Sequence, residues 1–334
     1  MLADRLVLAR SHTYDLFSRL YLHGLTPELL PYVLEVPELA AALPRVPQPA
    51  GAAITAAFEA DRAAADHYQL FGFEVFPFQS VFLDETANLG GAITQAVLDF
   101  YRQAGFAPPS SGESPDHIGM HLACLSFLCA AEADALEDGL ADQAARMRAW
   151  QRRLLYEHLL PWLPVFTQAV IHYGQPFYAA LAEMTLDLIL EHAAGLGGRP
   201  AAPFVLPQPP ELLGNQKTGL KQIAAYLVTP AYSGCFLSRA AISRLARQHK
   251  IPRGFGARWQ LLENTLRAAA GFDALPGVLT DLRAELDQSA AAYQALAAEY
   301  PVVVDIAQVW LARLAETQSL LAQMQAAGVH TSHD

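Results

Sequence analysis

The chain has 334 residues, of which 53% are hydrophobic and only 16% charged; this excludes wholesale disorder and suits one large domain or two ordinary ones. Ala and Leu dominate while Val, Ile and Thr are sparse, which favours helices over sheets. A net charge of −11 argues against a general nucleic-acid binder.

The charge is unevenly divided. Residues 1–211 hold 24 acids and 11 bases, a balance of −13, whereas residues 212–334 hold 9 acids and 11 bases. The first part suits a cationic partner, and the second tolerates an anion. Three cysteines, Cys124, Cys129 and Cys235, form neither a CxxC nor a zinc-ligand spacing, and an odd count fits a reducing compartment. Charges interrupt the apolar residues of "MLADRLVLARSHTY", so this is not the pattern of a signal peptide. "LLPWLPVFTQAVI" comes nearest to a membrane span but is short and carries two prolines. The expected location is the cytoplasm.

Residues 2–22 place Leu6, Leu8, Leu16, Phe17, Leu20 and Tyr21 at helical spacing. Prolines break residues 26–49 into short helical pieces ending in a loop near 44–51. A longer helix is expected over about 52–71, followed by an aromatic connection, "FGFEVFPFQSVFLDE" (71–85), which contains Pro77 and is read as extended. Residues 88–104 predict another helix, stopped at Gly105. The polar loop "APPSSGESP" then leads into an apolar helix through "SPDHIGMH", where Ser114 or Asp116 is the expected cap. Two or three helices follow over 140–193, with Pro161, Pro164 and Pro176 as breaks or first turns.

"AGLGGRPAAPFVLPQPPELLG" (194–214) reads as a Pro/Gly-rich linker. Helices resume afterwards, including a pair around a turn at 252–256 capped by Ser238, and a long Ala-rich segment over about 276–327. The expected fold class is all-α: a helical bundle domain over 1–193 and a smaller all-helical domain over 215–334.

No enzyme is legible. There is no Gly-x-Ser-x-Gly, no Walker A loop and no dinucleotide fingerprint. His117 and His121 share a helix face, but Ile118 stands where a metalloprotease helix needs Glu, and no Glu-x-x-His occurs; no metal site is expected. Nine bases lie between Lys217 and Arg267, with only Glu263 opposing them. Arg239, Arg244, Arg247, Lys250, Arg253 and Arg258 form a candidate patch for an anion or an acidic partner. A DNA-reading helical pair over 238–267 is the alternative function, against the plainer reading of a solvated basic face.

In the order "YDLFSRLY", "YQLF", "PFQSVFLDE", "YRQAGF" and "ESPDHIGMHLACLSFL", residues 14–128 resemble the TorD/DmsD-type redox-enzyme maturation chaperones. The Pro-Asp-His followed by an apolar helix is the most specific match. The resemblance implies an all-helical, non-enzymatic chaperone that binds the twin-arginine signal peptide of a molybdoenzyme precursor. Such a chaperone holds its client in the cytoplasm until the molybdopterin cofactor is inserted.

The resemblance assigns peptide binding to Pro115, Asp116 and His117, with Pro77 and Ser80. From the aromatic connection, Phe76 and Phe78 are added as candidates for an apolar groove. No permanently bound cofactor is expected; a transiently held molybdopterin-type cofactor or guanine nucleotide remains open. The chain departs from the family at His121, where an acidic residue is usual, and in residues 212–334, which the shorter members lack.

Overall fold

A computed structural model describes residues 2–43, 58–109, 112–198, 203–213 and 218–330. Sixteen α-helices account for most of them, and the isolated antiparallel bridge Phe78–His117 is the sole β pairing among the described residues. The all-α expectation holds. Contacts divide the chain into two compact units. The first comprises residues 1–80, 89–163 and 170–201; the second comprises 81–88, 164–169 and 202–334. Residues 81–88 and 164–169 thus group with the C-terminal part, a division no linear reading of the linker contains.

In the first unit, α1 (Leu2–His23) runs along α7 (Ile118–Glu137). Tyr14, Phe17, Leu20 and Tyr21 are buried, whereas Leu6 and Leu8 are 62% and 42% exposed; the buried stripe begins instead at Val7. The two helices meet closely at Gly119, where an added Cβ would lie 2.6 Å from Leu22 and 3.0 Å from the Ser18 carbonyl oxygen. Ser18 Oγ exploits that approach and donates to the Gly119 carbonyl at 2.7 Å. Two short helices, α2 (Leu30–Leu34) and α3 (Pro37–Ala42), follow. The expected loop at 44–51 and the expected helix start at 52 lie outside the described residues. Helix α4 (Ala60–His67) passes directly into a π-helical turn, Tyr68–Glu74.

The expected extended connection 71–85 is therefore corrected. Helical backbone persists to Glu74, only residues 75–78 intervene, and α5 (Gln79–Leu83) is helical again. Helix α6 (Gly91–Ala104) ends at Gly105 as expected, in the left-handed conformation (φ 75°) that glycine adopts without strain. After α7 come α8 (Ala141–Arg153) with a π-helical turn to Leu159, α9 (Leu163–Tyr173) and α10 (Pro176–Leu196). Pro164 and Pro176 fall in the first turns of α9 and α10, where a missing N–H costs nothing.

Among the described residues, helix α7, rather than "LLPWLPVFTQAVI", is the helix long and apolar enough to cross a membrane, with a mean hydropathy of 1.3 over its most apolar window. Of that window, 67% is buried inside the protein, as in the core helix of a folded domain.

The second unit contains α11 (Leu220–Leu227), α12 (Pro230–Ser233), α13 (Arg239–Gln248), α14 (Arg258–Gly271), α15 (Leu275–Glu299) and α16 (Val304–His330). Ser238 caps α13 as expected, its side chain accepting the Ala241 N–H. Pro301 breaks the long Ala-rich segment into α15 and α16, joined by a short 3₁₀ turn. Phe82, fully buried, stacks on Phe236 at 5.3 Å and meets Phe166 edge-on at 5.8 Å.

Candidate functional site

The Pro-Asp-His stretch lies in the first unit, against residues 77–80. Two backbone hydrogen bonds join the segments: Gln79 N–H to the Asp116 carbonyl and Ile118 N–H to the Pro77 carbonyl, both 2.9 Å. The Asp116 side chain completes the junction. Its Oδ2 accepts the Ser80 N–H at 2.9 Å, and its Oδ1 accepts the Thr94 hydroxyl at 3.0 Å and the Ser114 hydroxyl at 2.5 Å. The carboxylate is fully buried. One side chain thus ties together the starts of α5 and α6 and the loop before α7.

His117, not Ser114 or Asp116, is the N-cap of α7, with its Nδ1 accepting the Gly119 N–H at 3.0 Å. That bond requires a bare Nδ1, and burial, followed by the charge of His67, pushes the imidazole pKa down to about 3. Phe78 packs edge-on against it at 5.0 Å. His121, one turn on, is fully buried and held by the Tyr101 hydroxyl at 2.8 Å; that hydroxyl also lies 3.1 Å from the Pro115 carbonyl. Burial and then the charge of His158 depress the His121 pKa.

The structure therefore brings all seven peptide-site candidates together but gives them different exposures. Pro77, Phe78, Ser80, Asp116 and His117 are buried, and Phe76 and Pro115 are half-buried. A fully buried carboxylate with three donors is a lock between chain segments rather than a group offered to solvent. Thr94, which donates to that carboxylate, and Tyr101, which holds the Pro115 carbonyl and His121 beside it, escaped the sequence reading. Tyr101 sits in the quoted motif "YRQAGF", so its phenol was the available signal. Phe73, one of the aromatics of the 71–82 stretch, pairs on the π-helical turn with a ring not counted among the candidates, Tyr68. Tyr68 and Phe73, 63% and 44% exposed, meet edge-on at 5.0 Å.

A second polar chain crosses the same unit. Arg148 Nε and Gln151 Nε2 donate to the buried Glu132 carboxylate at 2.5 and 2.8 Å. Gln151 Oε1 can only accept, so His192 Nε2 donates to it at 3.0 Å, which leaves His192 Nδ1 to accept the Tyr14 hydroxyl at 2.9 Å. Burial pushes His192 down to about 3 and raises Tyr14 above its ordinary pKa. This chain fastens α1, α7, α8 and α10 to one another.

The basic patch of the second unit is not what its sequence suggests. Arg244 pairs with Glu285. Arg258 donates to the Leu237 carbonyl and stacks over Phe236 at 4.3 Å, where burial lowers its pKa to about 10. Arg239 donates to the Gly256 carbonyl at 2.7 Å. Arg247, Lys250 and Arg253 remain exposed. The connection between α13 and α14 runs from 249 to 257, longer than the ~3–4 residues of a DNA-reading helical pair. The DNA reading loses its geometry, and the Arg244–Glu285 pair takes part of its charge. Among the described residues, no group of three or more His, Cys, Asp or Glu is arranged to hold a metal ion.

Residues 17–168 match the family model described as nitrate reductase delta subunit. A chlorate reductase assembly chaperone protein from Ideonella dechloratans is 34% identical over 88 residues, which are 26% of this chain and 44% of that relative. The chain thus spans under half the length of the curated relative it matches. The described residues are all-helical, and the two matches place the similarity of the chain's first half with proteins of redox-enzyme systems. The likeness to the matched family lies in residues 17–168, under half of the chain.

Proposed function

We propose that the protein binds the twin-arginine signal peptide of a molybdoenzyme precursor in the cytoplasm and holds the precursor while its molybdopterin cofactor is inserted. The observation that carries this reading is the match of residues 17–168, which contains the Pro-Asp-His stretch and the junction built on it. The acidic balance of residues 1–211 supports a guest bearing two guanidinium groups.

Within the first unit, the buried Asp116 and His117 shape the surface, and half-buried Phe76 and Pro115 contact the guest. Exposed Tyr68 and Phe73 extend that surface toward the apolar part of the peptide. The cofactor is cargo of the client, and its contact with the chaperone is transient.

The test is calorimetric titration of the full chain with twin-arginine signal peptides of molybdoenzymes, each beside its twin-lysine counterpart. Micromolar or tighter binding, weakened by the lysine exchange, is the expected outcome. Failure to bind every such peptide would dispose of the reading.

A further inference from the structure

Three stretches have no part in the junction: 84–86, at the acidic end of "PFQSVFLDE", 218–219, and 230–239. The second unit brings residues from all three to one pocket of about 440 Å³, within the ~300–1,000 Å³ usual for ligand sites. Nine of its eleven lining residues come from 210–232, beyond the segment matched by the family model; Glu85 and Thr86 supply the rest.

The pocket's chemistry is specific. Tyr226 and Tyr232 lie nearly parallel, with ring centroids 6.1 Å apart and planes 15° from each other. Tyr226 is fixed from behind by its hydroxyl contact with Thr317 at 2.9 Å. Glu85 and Glu211 line the pocket and are exposed, Gln222 adds an amide, and no Lys or Arg is among the described lining residues. Burial, then the charges of Glu85 and Asp84, hold the Tyr232 hydroxyl above its ordinary pKa against the opposing charge of Arg313. Arg313 itself is engaged by Glu316 at 2.9 Å and by the Pro207 carbonyl at 2.8 Å.

We propose that this pocket is a guanidinium site that takes an arginine side chain of the client polypeptide, with Glu85 and Glu211 as counter-charges and Tyr232 as the stacking wall. Flat aromatic rings favour a planar guanidinium over a tetrahedral ammonium, and two carboxylates supply the charge-assisted hydrogen bonds. The volume admits the side chain together with a stretch of its backbone. The link to a client rests on the chaperone reading above, whereas the chemistry of the pocket does not. It gives the C-terminal unit a task of its own: a second grip on an arginine-bearing guest.

The probes are the blocked tripeptides Gly-Arg-Gly and Gly-Lys-Gly and a twin-arginine signal peptide, titrated into the full chain and followed by ¹H–¹⁵N spectra. The variants are Glu85→Gln/Glu211→Gln and Tyr232→Leu. The arginine tripeptide is expected to perturb residues 210–232 and to bind more tightly than the lysine one. The double variant should lose about tenfold in affinity, and Tyr232→Leu should lessen the arginine preference. No perturbation up to about 10 mM, or equal binding by the double variant, overturns the site.

The signal peptide separates the two ideas. If it binds the wild type and the double variant alike, the pocket's role with the client falls and the chaperone reading stands. If the wild type takes the arginine tripeptide but no signal peptide, the site stands and the chaperone reading falls.

Discussion

Replacing Asp116 by Ala tests whether this carboxylate is structural. The substitution removes the acceptor of three hydrogen bonds: from the Ser80 N–H, the Thr94 hydroxyl and the Ser114 hydroxyl. Thr94 and Ser114 are half-buried, so their hydroxyls can turn toward water and recover part of the loss. Ser80 is fully buried, and its N–H has nowhere to turn. An orphaned buried donor costs about 1–3 kcal/mol, and each partly compensated hydroxyl about 1 kcal/mol. Relief from burying a charge offsets some of this, leaving a net destabilisation of about 2–4 kcal/mol. Asp116→Asn keeps one carbonyl acceptor but aims an NH₂ group at a donor, so it should fall between wild type and Ala.

Urea unfolding followed by far-UV circular dichroism reads the effect as a lower midpoint at unchanged slope. Signal-peptide titration of the same variants, at a temperature where each is folded, reads the other half of the argument. A midpoint within error of wild type, together with abolished peptide binding, would refute the structural role and restore Asp116 as a direct ligand.

Acid should unfold the protein early. His117, His158 and His192 have folded pKa values pushed down by burial to about 3, 4 and 3, and His121 shifts the same way. Because the folded values lie below the unfolded value of about 6.5, the stabilisation is present above pH 6.5 and is lost as pH falls toward 3–4. Each imidazole removes about 1.4 kcal/mol per pH unit in that window; a melting temperature unchanged between pH 7 and pH 5 would contradict the burial of these neutral rings. Gln151→Leu leaves Glu132 and His192 short of partners and should cost about 2–4 kcal/mol in urea unfolding; a neutral result would show the polar chain to be dispensable. Phe82→Ala opens a hole beside Phe166 and Phe236 and should cost about 3–5 kcal/mol, whereas Ser238→Ala removes only a cap and should cost about 1 kcal/mol. Equal losses in those two variants would deny Phe82 its core position.

Local signals determined much of this protein. The excess of Ala and Leu, the 3.6-residue apolar period, Gly105 after α6, Pro176 opening α10 and Ser238 capping α13 act within a turn or two of chain, so the helices and several of their ends follow from sequence. The family resemblance was legible in short motifs for the same reason. Burial and partner choice are not local. Asp116 meets Ser80 across 36 residues, His192 meets Tyr14 across 178, and Arg244 meets Glu285 across 41. Only the packed helices decide whether such a side chain faces water or a donor. That is why Asp116 and His117, named from a local motif, stand buried in a junction with distant segments, and why several of a run of bases are engaged. It is also why the pocket of Glu85, Glu211 and the paired tyrosines, assembled from segments over a hundred residues apart, was invisible until the chain was folded.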